Sequence, residues 1–173
     1  MSNGRSTLQK TFCQLPANVS TYSSFEASVI TLKLSASKLS VFNIYRPPTS
    51  SSYAKPFSTF VDEFYSFLCT AATTPHEFLI TGDFNIHVDE PSDPQATTFL
   101  SLLAETNLIQ HVNFSTQDPG NHTLDLVITS ADSNPVHKVV RDDSRPADHY
   151  PVFSYLRLSP NPPPPSKSTA SAD

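Results

Sequence analysis

The chain has 173 residues, a formal net charge of −5 and 38% hydrophobic residues, which bounds it at one domain of ordinary size. No run of about 18 apolar residues is present for a membrane-spanning helix, residues 1–11 hold no apolar stretch of a signal peptide, and the acidic balance speaks against a broadly basic nucleic-acid surface. These totals predict a soluble intracellular protein.

Residues 1–22 show no sustained period and read as a loop or an incomplete lead-in to the fold. From Phe25 the pattern turns strand-like. Residues 27–34, ASVITLKL, and 39–45, LSVFNIY, flank a break of small residues, so the pair reads as a hairpin. Its second strand stops at Arg46-Pro47-Pro48, because proline has no N–H for the ladder. Tyr45 and Arg46 thus stand at a strand end, a favoured place for ligand contacts. The alternative for Tyr45 is a ring that caps the core.

Pro56 opens a helical segment in which Phe57, Phe60, Val61, Phe64, Phe67 and Leu68 recur at three and four. That spacing makes one apolar stripe, a core face rather than a cofactor site. Thr73, Thr74 and Pro75 close it. Residues 78–87, FLITGDFNIH, then climb through a buried strand to a glycine and deliver a carboxylate, an amide and an imidazole at alternate positions. Period-two alternation predicts Asp83, Asn85 and His87 on one side, with Phe84 and Ile86 in the core. Gly82 lets the backbone approach closely. Polar groups converging at a strand end build an active site; a polar turn is the plainer alternative.

Asp93 is placed to cap a second helix with Pro94 at its first position, and Phe99, Leu102 and Leu103 face inward over about three turns. Residues 108–112 read as a short strand, and 113–122 as a polar loop turning at Pro119-Gly120. In 123–129, TLDLVIT, Asp125 stands alone among apolar neighbours. An unpaired buried charge costs several kcal/mol, so Asp125 either sits at the strand mouth in water or has a partner such as a histidine. The size of the cost favours the partner. Residues 136–141 form another strand, and Asp148-His149 precede a last strand over 152–158. That dipeptide is either a hydrogen-bonded turn or the source of a metal ligand and an acid/base group. The Pro/Ser-rich residues 159–173 read as a disordered or polyproline tail.

Charge is unevenly spread. No Lys or Arg occurs between Lys55 and Lys138, while eleven Asp and Glu do, so the interval is either a solvated acidic face or a source of oxygen ligands for a hard cation such as Mg²⁺. Cys13 and Cys69 are isolated and read as ordinary thiols.

Four signals now fall in order: NIYRPP at 43–48, GDFNIH at 82–87, TLDLVIT at 123–129 and ADHYPVF at 147–153. With them the chain resembles the endonuclease/exonuclease/phosphatase superfamily. More narrowly, it looks like the apurinic-endonuclease-like domain of LINE-type (non-LTR) retrotransposons, over residues 20–158. The resemblance implies a four-layer α/β sandwich of two packed sheets flanked by helices, Mg²⁺ or Mn²⁺ as cofactor, and DNA phosphodiester cleavage. It implies that Asp83 orients the attacking water and that Asn85 helps hold the nucleophile or phosphate. Tyr45 would contact the scissile phosphate and Asp148 would act near the metal. His149 would be the acid/base or phosphate-stabilising imidazole, with Asp125 fixing its tautomer. The chemistry agrees: a phosphodiester needs an aligned water and charge neutralisation, and a carboxylate held against an imidazole is an orienting device.

The chain departs from the family pattern at its start. Full members carry an early strand with an Asn and then a metal-binding Glu, and neither motif precedes Tyr45; Glu26 opens a later strand and does not take that role. The expectation is therefore an incomplete sandwich that lacks N-terminal strands, exposes edges and apolar patches, and has no fused reverse transcriptase. Residues 1–22 are its lead-in, 23–158 the domain and 159–173 the tail. Two functional expectations follow: a metal-dependent endonuclease acting on nuclear DNA, or a truncated remnant with weak or no catalysis. A lipid or phosphoinositide phosphoesterase of the same superfamily fits NIYRPP and GDFNIH less well.

Overall fold

The computed structural model describes residues 22–33, 38–133, 135–144 and 147–157. The expected lead-in before residue 22 and the Pro/Ser-rich tail lie outside them. In chain order the elements are β1 (Glu26–Lys33), β2 (Lys38–Tyr45), α1 (Phe57–Ala72), β3 (Glu77–Asp83), α2 (Pro94–Glu105), β4 (Leu108–Gln110), β5 (Asp125–Ser130), β6 (Val136–Arg141) and β7 (Val152–Leu156). Five strands form one sheet in the order β1-β2-β3-β5-β4, and β6 and β7 pair separately. The predicted hairpin is the antiparallel β1–β2 pair; β2 and β3 run parallel, with α1 as their crossover.

Alternation gives each strand of the large sheet two faces. On one face Ile44, Ile80, Leu126 and Ile128 meet the two helices in the main core. On the other, Leu39, Leu79 and Val127 meet Val136, with Val139, Val152 and Leu156 packed against them. The helical stripe behaves as read: Phe60, Phe64, Phe67, Leu68 and Ala71 of α1 are buried. Rings dominate this core. Phe60 stacks on Phe64 at 5.3 Å, Phe64 meets Phe84 edge-on at 5.7 Å, and Phe84 lies 5.3 Å from Phe99 of α2. Each buried ring contributes about 1.5–3 kcal/mol, so Phe84 anchors the residues on either side of it.

Side chains set the element ends. Asp93 caps α2 by accepting from the Gln95 N–H at 2.8 Å, with Pro94 beginning the helix. Glu63 of α1 ties down the start of β1, accepting from Ser23 N and Oγ and from Ser24 N and Oγ at 2.6–3.0 Å. The strand read over 108–112 ends at Gln110, because the Gln110 amide bonds the N–H and carbonyl of Val112 in place of a neighbouring strand. Likewise β5 begins at Asp125 rather than 123: Thr123 N donates to Asp89, and Leu124 N to Thr116 Oγ1. The last strand stops at Leu156, two residues short of the predicted 158.

The described residues thus stack helices, a five-stranded sheet and a two-stranded sheet, three of the four layers implied by the resemblance. On the outer face of β7, Phe153 and Tyr155 are 50% and 56% exposed.

Candidate active site

The candidate residues come together through strand register. Tyr45 of β2 is the cross-strand partner of Asp83 of β3, and Asp83 is the partner of Asp125 of β5. Partners in one row project to the same face, here the face turned towards β6 and β7, at the end of the sheet. The row continues to Glu26, the partner of Tyr45 on β1. Tyr45 is 42% exposed, an open ring rather than a core cap.

Two carboxylates directly opposite each other are unfavourable. Asp125 resolves this by accepting from His149 Nδ1 at 2.7 Å. His149 is held in turn by an isolated antiparallel bridge to Gln117. Burial alone would lower the imidazole pKa, but the Asp125 hydrogen bond and the charges of Asp125, Asp83 and Asp148 outweigh it and raise it above the usual value. Asp83 is also raised, chiefly by burial and further by Asp125, against the hydrogen bonds from Asn85. The two shifts share a cause, since Asp125 faces Asp83 and hydrogen-bonds His149.

The turn after Asp83 has its own geometry. Gly82 adopts φ +133°, and a Cβ there would fall 1.9 Å from the Ile44 carbonyl oxygen; only glycine fits. Asn85 sits in the left-handed region at φ 48°, which asparagine tolerates better than most residues. Its backbone N–H donates to Asp83 Oδ1 at 3.0 Å, and its Nδ2 donates to Asp83 Oδ2 at 3.0 Å and to the Arg46 carbonyl at 2.7 Å. Both amide hydrogens are committed, which leaves Oδ1 of Asn85 as an acceptor.

Alternation fails beyond this turn because β3 ends at Asp83 and Asn85 is left-handed. Phe84 and Ile86 are buried as predicted. His87 does not line up with the carboxylate; its ring stacks on His122 at 3.8 Å, and His122 Nδ1 lies 3.2 Å from Asp89 Oδ2. Arg46 also differs from the reading at the strand end: it is 3% exposed and points inward, not towards a ligand. Asp148 is exposed, with its carbonyl accepting from Asp118 N at 2.9 Å. Among the described residues no three His, Cys, Asp or Glu side chains stand close enough to hold a metal ion. Asp83 and Asp125 are engaged by Asn85 and His149, so the side chains of the described residues do not make up a complete metal cage. A cleft of about 580 Å³ is lined by Val88, Asp89, Asn113, Phe114, Thr123 and Arg141 among others, and none of Tyr45, Asp83, Asp125 or His149 lines it.

Residues 39–153 match the family described as endonuclease-reverse transcriptase, from the second strand to the start of the last. The chain belongs to that family. No curated protein matches it. Among solved structures, this endonuclease-reverse transcriptase family member is similar to the endonuclease domain of TRAS1, a telomere-specific non-LTR retrotransposon (TM-score 0.66, 16% identity, 86% of this chain and 67% of that one). It is also similar to an endonuclease/exonuclease/phosphatase family protein from Leptotrichia buccalis (TM-score 0.56, 11% identity, 85% and 60%). A third is the 3′ phosphatase NExo from Neisseria, bound to a product DNA hairpin (TM-score 0.51, 18% identity, 75% and 65%). The chain spans 60–67% of the length of these relatives. These likenesses are of fold, and the family is the one matched over residues 39–153. No helix among the described residues is long and apolar enough to cross a membrane.

Proposed function

We propose that this chain carries the catalytic row of a retrotransposon-type DNA endonuclease and that its own turnover is slow. The observation that supports this most is the Asp83–Asp125–His149 arrangement, two opposed carboxyls with an imidazole closed on one of them at 2.7 Å. Asp83 would orient and deprotonate the attacking water, with Asn85 Oδ1 accepting the water's second hydrogen. With both its N–H groups committed, Asn85 suits the nucleophile rather than the phosphate. His149, oriented by Asp125 through Nδ1, would present Nε2 to the phosphate, stabilising its charge and protonating the departing oxygen. Tyr45 would donate its hydroxyl to a phosphate oxygen. Asp148, one residue before His149, is the remaining candidate ligand for Mg²⁺ or Mn²⁺.

Slow turnover is supported by the donor set. When bound, a divalent ion neutralises phosphate charge and stabilises the leaving group, effects worth several kcal/mol, and the described side chains do not form the cage for one. DNA as substrate and the nucleus as site of action rest on membership of the endonuclease-reverse transcriptase family. The test is nicking of supercoiled plasmid with Mg²⁺ or Mn²⁺, comparing this chain with its His149→Ala variant. Weak nicking that disappears in the variant is the expected result. Nicking equal in both would remove His149 from the reaction, and no nicking by either would favour the inactive remnant.

A further inference from the structure

We propose that Arg46 is the positioning residue of the site: it grips the 83–85 turn with its backbone and side chain together and so fixes how Asp83 and Asn85 project. Its N–H donates to the Asp83 carbonyl at 2.9 Å, and its own carbonyl accepts from Asn85 Nδ2 at 2.7 Å. Its guanidinium reaches the same turn, Nη1 donating to the carbonyls of Phe84 at 3.3 Å and Asn85 at 2.9 Å. Nη2 donates to Gln95 Oε1 of α2 at 3.3 Å, and the group lies 5.0 Å from the Phe60 ring and 5.3 Å from the Phe57 ring.

Packing alone would not call for this residue. Taking a guanidinium out of water is expensive, and an apolar side chain of similar volume would fill the same space at lower cost. Burial lowers the Arg46 pKa, against the opposing charges of Asp93 and Asp83. The planar fork can satisfy two successive carbonyls and a third acceptor at once, which a lysine ammonium does with less directional constraint. It holds them where the backbone leaves the strand and Asn85 turns left-handed at φ 48°. The committed side-chain amide of Asn85 depends on that turn.

The consequence for cleavage rests on the nuclease reading; the positioning itself does not. The test compares Arg46→Lys with Phe57→Leu, which removes a ring from beneath the guanidinium and none of its bonds to the turn. Both are folded by circular dichroism before use, and the Asn85 side-chain amide is followed by ¹⁵N NMR well below the unfolding midpoint. Arg46→Lys is expected to shift the Asn85 amide signals and speed their hydrogen exchange by about tenfold or more. Phe57→Leu is expected to be less stable with those signals unmoved. In plasmid nicking, Arg46→Lys is expected to lower kcat by about tenfold with KM nearly constant. A folded Arg46→Lys with unchanged Asn85 signals overturns the proposal. Should Arg46→Lys not fold, the parent decides: guanidinium protons protected from exchange and coupled to the 84 and 85 carbonyls support it, and solvent-rate exchange overturns it. If the parent nicks nothing, the nuclease reading falls while the Asn85 signals still decide the role of Arg46.

Discussion

His149 closes on Asp125 at 2.7 Å while Asp125 faces Asp83 across the β3–β5 ladder. The imidazole therefore serves two ends: it partners a carboxylate in an apolar strand, and it offsets a like-charge pair that the register imposes. Replacing Asp125 by Ala removes a charge-assisted bond worth about 1.5–3 kcal/mol but also removes the repulsion on Asp83. The net loss is expected to be about 1 kcal/mol by urea unfolding, with any nicking falling at least tenfold. A loss of activity with little loss of stability would separate the orienting role from a structural one.

Gly82→Ala is expected to be far more damaging than its size suggests. The added Cβ would lie 1.9 Å from the Ile44 carbonyl oxygen and 2.7 Å from its nitrogen, both backbone atoms of the neighbouring β2, and φ is +133°. Neither strand can yield without breaking the row that carries Tyr45 and Asp83. A destabilisation of more than about 3 kcal/mol, in the range of backbone strain plus a core disruption, is expected in chemical denaturation.

Glu63 gives the chain an acid-sensitive tie. Burial pushes this carboxyl up, but hydrogen bonds from Ser23 and Ser24 outweigh it and hold the pKa at about 2, against an ordinary 4.5. A depressed folded-state pKa contributes stability that is full above the unfolded value and disappears as pH falls through the folded one. The difference in urea midpoint between the parent and Glu63→Gln is thus expected to be constant above about pH 5 and to shrink towards zero between pH 4.5 and 2. A gap that stayed constant down to pH 2 would show that the carboxylate charge contributes nothing.

Phe153 and Tyr155 lie on the outer face of β7, half-exposed or more, where the resemblance implies a further layer. Open apolar faces promote self-association. The double change Phe153→Ser and Tyr155→Ser is expected to reduce concentration-dependent association in light scattering, with the unfolding midpoint nearly unchanged. Association at parental levels in the double variant would move the sticky surface elsewhere, to the strand edges.

Much of this was readable from residue order. The Phe57–Leu68 stripe, the Asp93 cap and the hairpin rest on local periodicity and backbone rules, which hold wherever they are met. The partner of Asp125 was legible as a requirement, since its cost in an apolar strand had to be offset. Other features depend on what the turn does after the strand ends. Alternation predicts His87 on the side of Asp83, but the left-handed Asn85 turns the chain and His87 stacks on His122 instead. The strand end offers Arg46 as a ligand contact; that it folds inward depends on carbonyls of residues 84 and 85 and on Gln95, contacts no local pattern encodes. The row from Glu26 to Asp125 likewise needs the register of four strands at once.

The separate pairing of β6 with β7 has a kinetic consequence. His149 enters from this hairpin side, while Asp83 and Asp125 belong to the five-stranded sheet. A two-stranded unit is marginal alone and is held by its contact with the larger sheet. Such units open as local excursions at lower free energy than global unfolding. Amide exchange is expected to be faster in β6 and β7 than in β3 and β5, and every such excursion removes the imidazole and leaves the carboxylates behind. The competent site would then exist only for the fraction of time that the two cooperative units are docked, and a ligand bridging both would slow exchange in the hairpin first.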